Sequence, residues 1–78
     1  MQDLIEYIAR SLVDDPTQVM VSERRHGSTT NVLLHVAKED MGRVIGRNGR
    51  VANAMRLLLR VTAARSDRRS KLEIVEPE

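Results

Sequence analysis

An α+β domain with the element order α-β-β-α-α-β is the fold class that the sequence predicts. Three observations predict it. Apolar residues recur at three- and four-residue spacing in a segment near the N-terminus and in a longer one after residue 50. Three short segments alternate apolar and polar residues at period two. Between the second and third of these, a glycine-rich turn separates two helical stretches.

The first helix is expected over residues 2–13, where Leu4, Ile5, Ile8, Leu12 and Val13 share a face and Glu6, Arg10 and Ser11 lie elsewhere. Pro16 disfavours helical geometry at Asp15, so the helix stops near Val13 or Asp14. In "TQVMVSERR", Val19 and Val21 alternate with Met20 and Ser22 and predict a strand. "HGST" then reads as a turn over residues 26–29. In "TNVLLHVA", Val32, Leu34 and Val36 fall on one face and Leu33 and His35 on the other, so the two strands form a hairpin with one buried face.

"KEDMGRVI" is expected to be a short helix, with Glu39 and Asp40 in a first turn favoured by the helix dipole. Gly42 weakens it, and Gly46 is expected to end it as a left-handed cap. The long helix is placed at about residues 50–65, and "SDRRS" is a polar loop. "KLEIVE" is the last strand, with Leu72 and Ile74 on one face. The tail at residues 76–78 is expected to fray.

Seventy-eight residues make one domain, and a chain of this size buries only about 60–65% of its unfolded surface. A deep catalytic cleft between two domains is excluded. The chain has no cysteine, which excludes disulfides and thiolate metal sites. No apolar run approaches the roughly 18 residues of a membrane span, and Asp3 and Glu6 stand where a signal peptide would be basic. A cytoplasmic location without membrane association is expected.

The net charge of +2 conceals a polarised chain. Residues 42–72 hold nine basic groups, eight of them Arg, against one acid, Asp67, which gives +8. The remaining residues hold four basic groups against ten acids, which gives −6, and the two sum to +2. Such an asymmetry points to a face suited to an anionic partner.

The basic segment contains "GRVIGRNGRVANAMR", residues 42–56, with glycines at 42, 46 and 49 and four arginines. It is neither a Walker A loop nor a Rossmann fingerprint, because the spacing is wrong for both and a helix precedes it. Asn48-Gly49 also suits a hairpin turn, but the sequence after it is helical rather than alternating. What remains is a tight turn, Gly46-Arg47-Asn48-Gly49, between two helices. A G-x-x-G is weak evidence alone, and a purely structural turn would look the same. Its context strengthens it. The turn opens a helix, where the dipole and free N–H groups favour anions. Missing Cβ atoms at Gly46 and Gly49 allow a sugar–phosphate backbone to come close. Arg47 and Arg50 flank the turn, Arg43 precedes it, and Val44, Ile45 and Val51 are candidate groove residues for bases. Arg50, Asn53, Arg56 and Arg60 continue as a polar stripe along the helix.

"VIGRNGRVANAMR" resembles the VIGxxGxxI signature of KH domains, and the element order resembles their bacterial, type II arrangement. "VAKEDMGRVIGRNGRVANAMRLLL", with "LVDDPTQVMV" and "LEIVEPE", is similar to the KhpA (YlqC-like) family of small bacterial single-KH proteins. The resemblance extends from about Leu4 to Glu76. It implies a single KH domain, a three-stranded sheet with three helices on one face, and binding of single-stranded RNA, about four nucleotides at a time. By match, Gly46, Arg47, Asn48 and Gly49 hold the RNA backbone. Arg43, Val44, Ile45, Arg50, Val51 and Asn53, with the second hairpin strand near Leu33–His35, surround it. The resemblance also implies self-association or pairing with a larger KH-containing protein of the KhpB (Jag) type. It implies an RNA chaperone or regulatory role linked to cell elongation and division. Many KH loops carry Lys where this one has Arg47-Asn48, and Tyr7 is the single aromatic, so aliphatic contacts replace ring stacking.

No catalytic constellation is present. His26 and His35 have no companion ligands at metal spacing. The serines lack a base and acid in any known motif, and no cofactor is implied. On the long helix, Val51, Met55, Leu58 and Thr62 are expected to pack on the sheet. Leu57, Val61 and Ala64 form a second apolar line. Either the first helix covers that line, or it is a dimer or partner interface, and the interface is favoured. RNA binding is the leading function. A protein-interaction module with secondary RNA contact is the alternative.

Overall fold

The computed structural model describes residues 1–77. Helix α1 (Gln2–Leu12) leads through a bend and a 3-10 turn at Pro16–Gln18 into the hairpin of β1 (Met20–His26) and β2 (Thr29–His35). A second 3-10 turn, Lys38–Asp40, opens α2 (Met41–Ile45); then come the loop, α3 (Arg50–Ala64) and β3 (Arg69–Val75). The predicted order α-β-β-α-α-β is the observed one. Several boundaries differ: α1 stops at Leu12, Thr17 and Gln18 lie in a 3-10 turn ahead of the first strand, Lys38–Asp40 form a 3-10 turn rather than the first turn of α2, and β3 starts at Arg69, inside the segment expected to be loop. The backbone N–H of Arg69 donates to Ser28 O at 2.8 Å, so the strand pairs from its first residue.

The sheet order is β1-β2-β3, antiparallel between β1 and β2 and parallel between β2 and β3. Parallel neighbours need a long crossover, and α2, the loop and α3 supply it. One face of the sheet lies under the helices. There Val21, Leu34 and Ile74 form one cross-strand row, and Val32 and Leu72 meet in the next. Val32 and Leu34 are fully buried, as are Ile5 and Ala9 of α1 and Leu59 of α3. Leu12, placed on the packing face of α1 by periodicity, is exposed; Ala9 faces the core instead.

Helix α3 is rotated from the expected orientation. Its buried residues are Ala52, Met55, Leu59 and Ala63. Leu58 and Thr62 face solvent. Small alanines at two of the four buried positions let the helix approach the sheet closely, which the larger leucine at 58 would prevent.

Asp40 fastens α1 to α2. Its carboxylate is almost fully buried and accepts the backbone N–H groups of Asp14 and Asp15 at 3.0 and 3.1 Å. Hydrogen bonds to a charged group contribute about 1.5–3 kcal/mol each. The pair therefore satisfies the bend after α1 and fixes the start of the helix that carries the glycine loop.

Candidate functional site

The loop between α2 and α3 is built by three unusual backbone conformations within four residues. Gly46 has φ 76° and ψ 172°, Asn48 has φ 57° and ψ 26°, and Gly49 has φ 76° and ψ 15°. Gly46 therefore ends α2 with a positive φ, but outside the left-handed helical well expected for a cap. A Cβ there would lie 2.6 Å from Val51 Cγ2 and 2.9 Å from Val51 N, so both backbone and packing demand glycine. Asn tolerates the left-handed region better than other side chains, which suits it to position 48.

No side chain caps the N-terminus of α3, so the positive end of its dipole is open to the loop. Arg47, Asn48 and Arg50 are exposed. None of the three takes part in an ion pair or a side-chain hydrogen bond among the described residues. Arg43 differs. Its guanidinium lies 3.0 Å from Asp14 and 3.7 Å from Asp40. Its charge is offset within the protein, so it reinforces the Asp40 fastening rather than flanking the loop freely.

Two clefts adjoin this region. One, of about 340 Å³, is lined by Lys38, Met41 and Ile45 along the outer face of α2 and by Glu76 and Pro77 beyond β3. Ile45 directly precedes Gly46, so this mainly aliphatic cleft opens onto the loop. The other, of about 300 Å³, lies between α3 and β3 and is lined by Arg56, Leu59, Arg60, Ser70, Lys71 and Leu72. Arg56 donates to Asn53 Oδ1 at 3.3 Å and reaches the Leu72 carbonyl at 3.5 Å.

Of the residues expected to surround the loop, Ile45, Arg47, Asn48, Arg50 and Asn53 gather at the surface with the two glycines. Val44 does not: it is fully buried in the core, because the short helix turns that side chain inward. Val51 is half-buried against the same core and lies beneath Gly46. Leu33 and His35 are on the central strand and point to the sheet face opposite the helices, while Leu34 lies under them. They line neither of the two clefts. Lys38 and Met41, which line the aliphatic cleft, are not among the residues that the sequence points to. Their spacing with Ile45, at i, i+3 and i+7, was the available signal.

No cluster of three or more His, Cys, Asp or Glu side chains suited to a metal occurs among the described residues. No described helix is long and apolar enough to cross a membrane.

The parallel addition of β3 beside β2, with a glycine loop inside the crossover, is the type II KH arrangement. The model of the "KhpA/KhpB, KH domain" family matches residues 2–74. An "RNA-binding protein KhpA" of Treponema pallidum is 45% identical over 75 residues, 96% of this chain and 94% of the relative. One of Clostridium acetobutylicum is 44% identical over 75 residues, 96% of this chain and all of the relative. One of Listeria monocytogenes is 41% identical over 76 residues, 97% of this chain and all of the relative. No solved structure gives a significant match. Since the family model takes in all six elements as far as Ile74, and relatives align over nearly their whole length, the chain belongs to the KhpA/KhpB family of KH-domain proteins.

Proposed function

We propose that this protein is a single KH domain that binds single-stranded RNA in the cytoplasm, with the strand's backbone held at Gly46–Gly49 and its bases in the cleft beside Ile45 and Met41. The observation that carries this reading is the loop itself. Two glycines at φ 76° bring the backbone to the surface at the uncapped end of α3, beside Arg47 and Arg50, which have no ion-pair partner among the described residues. The relatives named as RNA-binding proteins support it, and the family is not one of enzymes. The aliphatic cleft offers van der Waals contact instead of ring stacking, which predicts weak binding by one domain. A regulatory or chaperone role in elongation and division belongs to the same proposal.

Salt titration tests the reading. Three or four phosphate contacts at about −0.7 each give a slope of log K against log salt near −2 to −3. Fluorescence anisotropy with an unstructured RNA at several salt concentrations measures it. A slope near zero would rule out a phosphate-held strand.

A second reading, protein–protein association, is favoured by a separate observation. Ala54, Leu57, Leu58 and Val61 form an exposed stripe at i, i+3, i+4 and i+7 on α3. Val61 is 52% exposed, Leu57 55% and Leu58 45%, and α1 does not cover them. Ala64, also exposed, extends the line of Leu57 and Val61. An apolar stripe of this width suits a second copy across a two-fold axis, or a second KH protein of the KhpB type. The two functions reinforce each other, because two linked RNA sites gain affinity through effective concentration. Val61→Asp is expected to give a folded monomer with weaker RNA binding. Sedimentation of both forms decides it: a wild type monomeric at tens of micromolar, with no partner added, would exclude the homodimer.

A further inference from the structure

The open face of the sheet, opposite the helices, is divided by charge. Register places Arg24, Asn31 and Lys71 in one cross-strand row and His26, Thr29 and Arg69 in the next. These two rows hold three permanent positive charges and no acid. The single acid on this face, Glu73, lies in the following row with Ser22 and Leu33. Arg24, Lys71 and Arg69 are exposed, and no ion pair neutralises them among the described residues. Charged residues on edge strands also discourage sheet-to-sheet pairing. That role requires no clustering at one end of the face.

The cluster is continuous with the basic side of α3. Lys71 belongs to it by register and also lines the cleft beside Arg56 and Arg60. Because β3 is an edge strand, no further strand separates that cleft from the open face. A basic track thus runs from Arg50 at the loop, down α3 past Arg56 and Arg60, and around β3 to Lys71, Arg69 and Arg24. Fifteen residues of α3 span about 22 Å at 1.5 Å per residue. A stacked strand that rises about 3.4 Å per nucleotide covers that distance with about six nucleotides.

We propose that the basic half of the open sheet face is a second contact surface for the phosphate backbone of the same RNA strand, reached once the strand extends beyond the length held at the loop. The proposal rests on the RNA-binding reading of the glycine loop and extends it from a loop site to a track. Charge complementarity selects the occupant: a polyanion matches three cations that have no ion-pair partner among the described residues and are flanked by amide and hydroxyl donors.

The test compares oligouridines of two lengths, a tetramer and a dodecamer, on the wild type and on the triple variant Arg24→Gln, Arg69→Gln, Lys71→Gln. Amide shifts in NMR titrations and salt-dependent anisotropy are the readouts. On the wild type, the tetramer is expected to move amides of the loop, and the dodecamer is expected to move those of residues 24, 31, 69 and 71 as well. The variant should bind the tetramer as the wild type does. With the dodecamer, its salt slope should fall by about 2, the loss of three contacts at about 0.7 each. A dodecamer that leaves the sheet-face amides unmoved, or binds the variant as tightly as the wild type, would overturn the proposal and leave the patch for an acidic protein surface. A length gain arising from two copies on one strand would survive in the variant and so counts against the track. If neither oligomer moved the loop of the wild type, the loop reading would fall, and the track with it.

Discussion

Replacing Arg47 and Asn48 together by aspartate is expected to abolish RNA binding while leaving the fold intact. The two side chains sit at the crest of the loop, exposed and unpaired among the described residues. Asp accepts the left-handed backbone that residue 48 adopts, at φ 57°, so the change carries little strain. Two carboxylates facing a phosphate create like-charge contacts that cost several kcal/mol. At about 1.4 kcal/mol per tenfold, affinity falls by at least about a hundredfold. Gel shift and circular dichroism, taken together, check both halves. Unchanged binding would move the site elsewhere on the molecule. Loss of helical signal would make the loop a structural turn.

The largest effect on stability is expected at Gly46. Its φ of 76° with ψ of 172° lies in a region that is essentially glycine-only, where another residue costs about 1–3 kcal/mol. A methyl group at this position also meets Val51 Cγ2 at 2.6 Å and Val51 N at 2.9 Å. One of those atoms belongs to the backbone of α3, so relief requires the helix start to shift. Gly46→Ala is expected to lose about 3–5 kcal/mol, a large share of the about 4–12 kcal/mol that a domain of this size possesses. Gly42→Ala is the contrasting control. Gly42 lies in α2, where an added Cβ has nothing within 4 Å. Alanine in a helix is favoured over glycine by about 0.5–1 kcal/mol, so that variant should gain stability. Urea denaturation of both separates the effects. A Gly46→Ala protein as stable as the wild type would show that the loop is not held in this conformation.

Much of the fold was legible because it is written in local patterns. Val32, Leu34 and Val36 alternate at period two and lie in the core. Pro16, Gly27 and the glycines at 46 and 49 mark the ends of elements where their backbone limits require it. The loop itself was legible for the same reason, since its glycines are demanded by φ values that no neighbour sets. The surroundings of the loop were less so. Val44 and Ile45 are equally apolar and adjacent, yet one is in the core and the other lines the cleft. Arg43 and Arg47 are chemically alike, but only Arg43 meets carboxylates among the described residues: Asp40 three residues before it, and Asp14, brought by the bend after α1 from a distant part of the chain.

Helix α3 shows where local pattern stops being sufficient. Apolar or small residues occupy so much of its circumference that periodicity allows more than one packing face. Close approach to the sheet selects Ala52, Met55, Leu59 and Ala63, and this leaves Leu57, Leu58 and Val61 outside. The sequence by itself determined the order of elements, the position of the glycine loop and the polarised charge, because each depends on neighbouring residues or on composition alone. The tertiary structure decided the parallel placement of β3 beside β2, the face of α3 that is buried, and which arginines meet carboxylates among the described residues. Each of these depends on contacts between segments far apart in the chain, whose geometry no local period encodes.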